Sequence, residues 1–317
     1  MEVEDVFIEK YRPKYLKDIV GQDKIIERFK GFAKTKTIPH MMLAGKAGTG
    51  KTTSVLALLR EIYGKDCTRY FLEINASDEG GVNTIRKKVK DYIDASAIEV
   101  GFKVVFLDEC DALTQEAQAI LRRTMEKYSY KCRFALSCNY PHKIIEPIQD
   151  RCAQFRFKPI KLLDMLDTLK KVSKNENITI TPEALTTLAG LSKGSMRKPL
   201  NVLNTIKSSG MESVSEEDIY SLTYWVNYDE IKNLLLDINN RDIKLVETRL
   251  KDMIFEKGYN IEEILEAIGT VLEENNILTS VKLEAFDKLE EVSYHITRGA
   301  NPYICLRGFC AHLMKLM

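Results

Sequence analysis

The stretch Gly45-Lys46-Ala47-Gly48-Thr49-Gly50-Lys51-Thr52 decides how this chain reads. It fits G-x-x-x-x-G-K-[ST], and its flanks fit as well. A strand-like run, His40 to Ala44, precedes it, and an amphipathic run, Thr52 to Tyr63, follows. Glycines let successive backbone N–H groups turn inward around phosphate oxygens. A helix starting there points its positive end at the same anion. Lys51 is placed to reach β- and γ-phosphates, and the Thr52 hydroxyl to hold Mg²⁺. The candidate phosphate contacts are Gly45, Gly48, Thr49, Gly50, Lys51, Thr52 and Thr53.

A second constellation lies 57 residues beyond Lys51. Val104-Val105-Phe106-Leu107 is a buried-type strand, and it ends in Asp108-Glu109. Asp108 at a strand end is the expected second contributor to the Mg²⁺ site. Glu109 is the expected base for a water that must lose its proton as it attacks phosphorus. An apolar run before Asp-Glu is common on its own. Behind a phosphate loop, in a strand–helix–strand pattern, it points to triphosphate hydrolysis.

Further out, apolar runs alternate with amphipathic stretches. The runs are 40–44, 70–74, 103–107, 133–137 and 153–157. The stretches between include 52–63, 83–93 and 114–128, the last with Thr114 as its expected cap. This alternation predicts an α/β domain over 1–160, with a parallel sheet flanked by helices. After Pro159 the strand signal stops. Short helices are expected over 161–226, one starting at Thr181-Pro182-Glu183. Longer ones are expected over 227–317, such as Asp229–Leu236, Ile243–Phe255 and Lys282–Ile296. The second boundary is the softer one.

Composition bounds the rest. Of 317 residues, 47 are Lys or Arg and 46 Asp or Glu, a net charge of +1. That excludes a histone-like polycation and an acidic disordered chain, while leaving room for a local basic stripe. No stretch approaches the length of a membrane span, and the start does not read as a secretory or transit signal. The seven cysteines are odd in number and include no C-x-x-C. They read as small buried hydrophobes in a reducing compartment.

With these residues in hand, the chain resembles a known family. Asp108-Glu109-Cys110-Asp111 resembles the D-E-x-D box of AAA+ ATPases. Glu9-Lys10-Tyr11-Arg12-Pro13 and Ile19-Val20-Gly21-Gln22 resemble the opening segment of sliding-clamp loader subunits. The stretches 119–126, 136–140 and 145–152 continue the likeness to the small subunits of replication factor C. Strong motifs cover residues 6 to 200, and the last third agrees in length and helical character only. The resemblance implies an AAA+ core, a helical lid and a helical collar that assembles subunits. It implies ATP and Mg²⁺ as ligands and an ATPase stimulated by DNA and clamp. The implied partners are the large and small replication factor C subunits, a PCNA-type sliding clamp and primer–template DNA, with no membrane. It implies an intracellular, soluble protein, cytoplasmic in an archaeon and nuclear in a eukaryote.

The resemblance also assigns roles. Asn139 is the implied first sensor of the γ-phosphate or attacking water. Arg197 is the implied second sensor, reaching in from the lid. Arg151 is the implied arginine finger, acting in a neighbouring subunit's site. Tyr11, Arg12 and Val20 belong to the implied adenine pocket. Arg86 and Lys143 match positions that touch the DNA backbone, and Lys90 shares a helical face with Arg86. The stretch Ala95 to Phe102 is the implied clamp-facing region, where Ile98 and Phe102 read equally as exposed anchors or core. Some positions depart from the pattern. Lys46 and Ala47 replace prolines, Gly80 replaces an arginine, and Pro199 replaces an alanine. Asp150 replaces a serine and is a potential ion-pair partner for Arg151. Two other readings are a non-hydrolysing subunit that only lends Arg151, and another AAA+ DNA machine such as a branch-migration helicase. Intact Lys51, Thr52, Asp108 and Glu109 argue against the first, and the helical last third against the second.

Overall fold

The computed structural model describes residues 6–77, 82–94, 101–275 and 278–317. The expectations attached to Gly80 and Ile98 lie outside them. The chain divides into two compact units, Met1–Val214 and Ser215–Met317.

The first unit is built on five parallel strands: β1 (Met41–Ala44), β2 (Phe71–Asn75), β3 (Lys103–Asp108), β4 (Cys132–Cys138) and β5 (Ala153–Arg156). Their order across the sheet is β2-β3-β4-β1-β5. Each strand lies where an apolar run was expected. Preceding β1 are α1 (Phe7–Lys10) and α2 (Asp23–Thr35). Between strands run α3 (Lys51–Tyr63), α4 (Val82–Asp94), α5 (Gln115–Tyr128) and the single turn α6 (Glu146–Gln149).

Alternating strand residues face opposite sides of a sheet, so the apolar runs feed two cores. Val105, Leu107, Phe134 and Leu136 pack with Ile85, Val89 and Ile93 of α4 and Leu121 and Met125 of α5. Val104, Phe106, Met41 and Leu43 pack on the other side with Ile25, Ile26 and Phe29 of α2 and Val55 and Leu58 of α3. Each such side chain contributes about 1.5–3 kcal/mol by leaving water. Thr114 caps α5 as expected, its Oγ1 accepting the Ala117 N–H at 3.2 Å.

The same unit continues into α7 (Leu162–Asn175), α8 (Pro182–Leu191) and α9 (Arg197–Ser209). Thr181 caps α8 by accepting the Ala184 N–H at 3.2 Å. Pro199 is the third residue of α9, within the turn whose N–H groups have no helical partner, so the ring is tolerated there.

The second unit is helical: α10 (Glu216–Thr223), α11 (Tyr228–Asn239), α12 (Ile243–Lys251), α13 (Ile261–Glu274), α14 (Thr279–Thr297) and α15 (Pro302–Leu316). Its core gathers Ile231, Leu234, Val246, Ile268, Leu272, Phe309 and Leu313. The helix expected over Ile243–Phe255 differs in detail. It is α-helical to Lys251 and widens into a π-turn over Asp252–Glu256, closed by the Lys257 N–H to Asp252 O bond of 3.0 Å. Among the described residues no helix is long and apolar enough to cross a membrane.

Candidate nucleotide site

Strands β3, β4 and β1 are neighbours, so whatever follows their C-terminal ends converges. Those positions are Asp108-Glu109, Asn139 and the Gly45–Thr52 loop. The Gly45 N–H donates to the Cys138 carbonyl at 3.1 Å, joining the loop to β4.

The loop's shape requires glycine at its crest. Gly48 has φ +77°, and a Cβ there would lie 2.1 Å from Ser195 Oγ. The Met196 N–H donates to the Gly48 carbonyl at 3.1 Å, so the approach to α9 rests directly on the loop. Thr49, 2% exposed, donates through Oγ1 to Lys46 O at 2.8 Å. Lys51 opens α3 and is 8% exposed. Its ammonium donates to Gly45 O, to Lys46 O at 3.2 Å and to Asn139 Oδ1 at 3.3 Å. Burial lowers its pKa from the ordinary lysine value, and the Asp108 carboxylate opposes that.

Asp108 Oδ1 accepts the Glu109 N–H at 3.0 Å. Glu109 has φ +53°, a left-handed backbone that a β-carbon disfavours. Asp111 supplies a contact for which the sequence assigned no role. Its carboxylate accepts the backbone N–H of Asn139 at 3.3 Å and that of Tyr140 at 3.1 Å. The final acid of the D-E-x-D box therefore fixes the turn that presents Asn139. Gln22 is a second such residue. Buried, it donates through Nε2 to Lys158 O at 2.7 Å and accepts the Lys158 N–H at 3.2 Å.

These elements enclose a cleft of about 260 Å³. It is lined by Tyr11, Arg12, Val20, Gly48, Thr49, Gly50, Lys51, Thr52, Thr53, Asp108, Glu109, Asn139 and Arg197, all singled out from the sequence. Gly45 is not on the wall; it stands behind it, holding Lys51 through its carbonyl. The cleft also takes in apolar Ile8, Ile19, Met196 and Leu200, to which the sequence assigned no role. The loop contributes Thr49, Lys51, Thr52 and Thr53 to the lining, and the other segments contribute its apolar side chains. Thr52 and Asp108 put two hard oxygen donors in one cleft, the kind of donor that Mg²⁺ favours.

The remaining candidates lie elsewhere. Arg151 follows α6 and does not line the cleft. Its partner is not Asp150, as the sequence suggested, but Glu126 on α5, at 2.6 Å. The Arg151 guanidinium also donates to Pro147 O at 2.7 Å. Arg86 and Lys90 are exposed on α4, whose buried residues are Ile85, Val89 and Ile93. Lys143 is exposed, its ammonium 4.8 Å from the Tyr140 ring centroid. Phe102 is core, not an exposed anchor: it is 7% exposed and meets Tyr63 edge-on at 6.0 Å. Six cysteines are buried and all seven are free thiols. No cluster of three or more metal-ligating side chains occurs among the described residues.

Comparison with known proteins agrees with this geometry. The family model "ATPase family associated with various cellular activities (AAA)" matches residues 41–160, and "Replication factor C C-terminal domain" matches residues 226–312. The replication factor C small subunit of Archaeoglobus fulgidus is 40% identical over 317 residues, covering 100% of this chain and 99% of that protein. That of Methanococcus maripaludis strain C7 is 42% identical over 311 residues, covering 97% and 98%. Among solved structures, the Thermotoga maritima RuvB Holliday junction branch migration motor superposes with a TM-score of 0.56 at 15% identity. It covers 82% of this chain and 91% of its own, and at that identity it speaks to the fold alone. The chain belongs to the replication factor C small-subunit family of AAA ATPases.

Proposed function

We propose that this ATPase works as one subunit of a sliding-clamp loader whose hydrolysis step is completed by a residue from the adjoining subunit. The observation that carries the reading is the division of the candidate residues. The loop, both carboxylates, Asn139 and Arg197 line one cleft, while Arg151 lies outside it.

The loop N–H groups and Lys51 bind the β- and γ-phosphates of ATP, and the apolar wall takes the base. Thr52 and Asp108 would hold Mg²⁺, which would neutralise charge on the phosphate oxygens. Glu109 accepts the proton of the attacking water, whose oxygen bonds to the γ-phosphorus as the bond to the β,γ-bridging oxygen breaks. Asn139 orients that water. Arg197 spreads charge off the phosphate from the lid side. Arg151 does the same in the next subunit's cleft, a contribution of about 10³ to 10⁵ in rate.

The partners that follow are a large and further small replication factor C subunits, a PCNA-type clamp and primer–template DNA. The helical segment 161–226 acts as the lid, and 227–317 as the collar through which subunits assemble. Arg86, Lys90 and Lys143 contact DNA phosphates, which suits a loader that must accept any junction sequence. The place of work is the cytoplasm in an archaeon and the nucleus in a eukaryote.

The test is steady-state ATP hydrolysis by the full chain alone and after reconstitution with its partner subunits, with and without clamp and primer–template DNA. Assembly, clamp and DNA are expected to raise the rate in steps. An isolated monomer that turns over ATP as fast as the complete assembly would overturn the proposal.

A further inference from the structure

We infer that Glu176 is a positioning residue for nucleotide binding: it holds the opening segment 7–12 on the lid helices and so keeps Tyr11 in the cleft wall. The inference rests on the reading of the cleft as an ATP site.

Glu176 caps the C-terminal end of α7. Its side chain is only 9% exposed, and a buried carboxylate needs compensation. It receives two donors from the opening segment, the Lys10 ammonium at 2.6 Å and the Tyr11 hydroxyl. Its main-chain carbonyl accepts from Lys207 of α9 at 2.7 Å. The Phe7 N–H donates to Asn204 Oδ1, also on α9, at 3.3 Å. The Phe7 ring is buried and meets Tyr11 edge-on at 5.7 Å. The polar anchors of this short segment are therefore on α7 and α9.

That attachment bears on the cleft because the same segment lines it. Ile8, Tyr11 and Arg12 form part of the wall, and Arg197 and Leu200, from the helix that receives the segment, form another part. Burial first, then the Glu176 hydrogen bond and charge, push the Tyr11 phenol up to about 12. It therefore stays protonated, and a donor, across the working range of pH. Burial also opposes ionisation of Glu176, but the Lys10 and Tyr11 contacts outweigh it and hold the carboxyl below its ordinary range. Removing the carboxylate leaves a half-buried phenol without its acceptor and turns the half-exposed Lys10 ammonium to water, and the opening segment loses its register on the lid. On the reading of Tyr11 as part of the adenine pocket, the loss falls on binding shared by ATP and ADP. It does not fall on the chemical step.

The experiment is equilibrium binding of ATP and of ADP to the full chain, with turnover at saturating ATP measured in the reconstituted assembly. Glu176→Ala is expected to weaken both nucleotides by a similar factor, about tenfold, with kcat within about twofold of the parent. Glu176→Gln still accepts the Tyr11 hydroxyl and is expected to restore most of the affinity. Tyr11→Phe is expected to weaken both nucleotides in the same way, and to add little to Glu176→Ala in the double variant. Tyr11→Phe carries the test by itself should the alanine variant not fold. Undiminished affinity in these variants, a loss confined to ATP, or a fall in kcat alone would overturn the inference. A parent chain that binds neither nucleotide would overturn the reading of the cleft itself.

Discussion

The Arg151 guanidinium lies 2.6 Å from the Glu126 carboxylate of its own chain, with both side chains roughly two-fifths exposed. Such a water-exposed pair is worth only about 0–1 kcal/mol, so it is a weak competitor for the phosphate of the proposed in-trans contact. Arg151→Ala is expected to lower the stimulated ATPase of the assembly by about 10³ or more while leaving ATP affinity of the isolated chain unchanged. Glu126→Gln is expected to leave that rate within about twofold. Rates of the reconstituted assembly, with filter-binding affinities for the single chain, decide both.

Asp111 fixes the turn that presents Asn139 by accepting two of its backbone N–H groups. In Asp111→Ala those donors turn to water and Asn139 loses its fixed place. The expected result is a fall in kcat of about tenfold with ATP affinity nearly unchanged. Pre-steady-state measurement of the cleavage step separates this from slower product release.

The exposed cations of α4 make a prediction about salt. Removing one phosphate contact from each subunit, as in Arg86→Ala or Lys90→Ala, is expected to reduce the slope of log K against log salt by about 0.9 per contact on duplex DNA. The loss should be equal on unrelated primer–template sequences. Fluorescence anisotropy across a salt series reads it, and a sequence-dependent loss would contradict a phosphate contact.

His40 makes stability depend on pH. Its Nδ1 accepts the Phe134 N–H at 3.0 Å, so the ring must be neutral to hold β4 in place. Burial first, then the Arg133 charge, lowers its pKa from 6.5 to about 4. Between those values the unfolded chain takes up a proton that the native chain refuses. This contribution is thus fully present above about pH 6.5 and is lost as pH falls towards 4. Calorimetric Tm values between pH 7.5 and 4.5 are expected to drop less steeply in His40→Asn, whose side-chain oxygen accepts the same bond without titrating.

Much of this was legible in the sequence, for identifiable reasons. Short apolar runs placed all five strands, because a sheet covered on both faces leaves little choice of residue. Thr114 and Thr181 announced their helices because a cap acts over three residues. That Lys51, Asp108 and Glu109 line one cleft could be anticipated because a phosphate-loop pattern and a strand ending in carboxylates both mark C-terminal strand ends of one parallel sheet. What stayed hidden depends on distant segments meeting. Asp111, Gln22 and Glu126 acquire their partners only once β3, β4, α5 and the 158–160 segment come together. Phe102 was ambiguous because its burial depends on Tyr63, 39 positions earlier. The π-turn at Asp252–Glu256 is a single turn at a helix end, too short for hydrophobic periodicity to mark it.

The buried thiols turn the chain into its own gauge of opening. Burial pushes Cys132 and Cys152 up to about 12 and Cys138 to about 11 in the first unit, and Cys310 to about 12 in the second. A thiol that stays protonated and shielded resists alkylation at neutral pH. Each modification then counts an excursion in which its surroundings came apart. Peptide mass fingerprints after brief exposure to iodoacetamide therefore time the breathing of the sheet and of the helical unit separately, in one unlabelled sample.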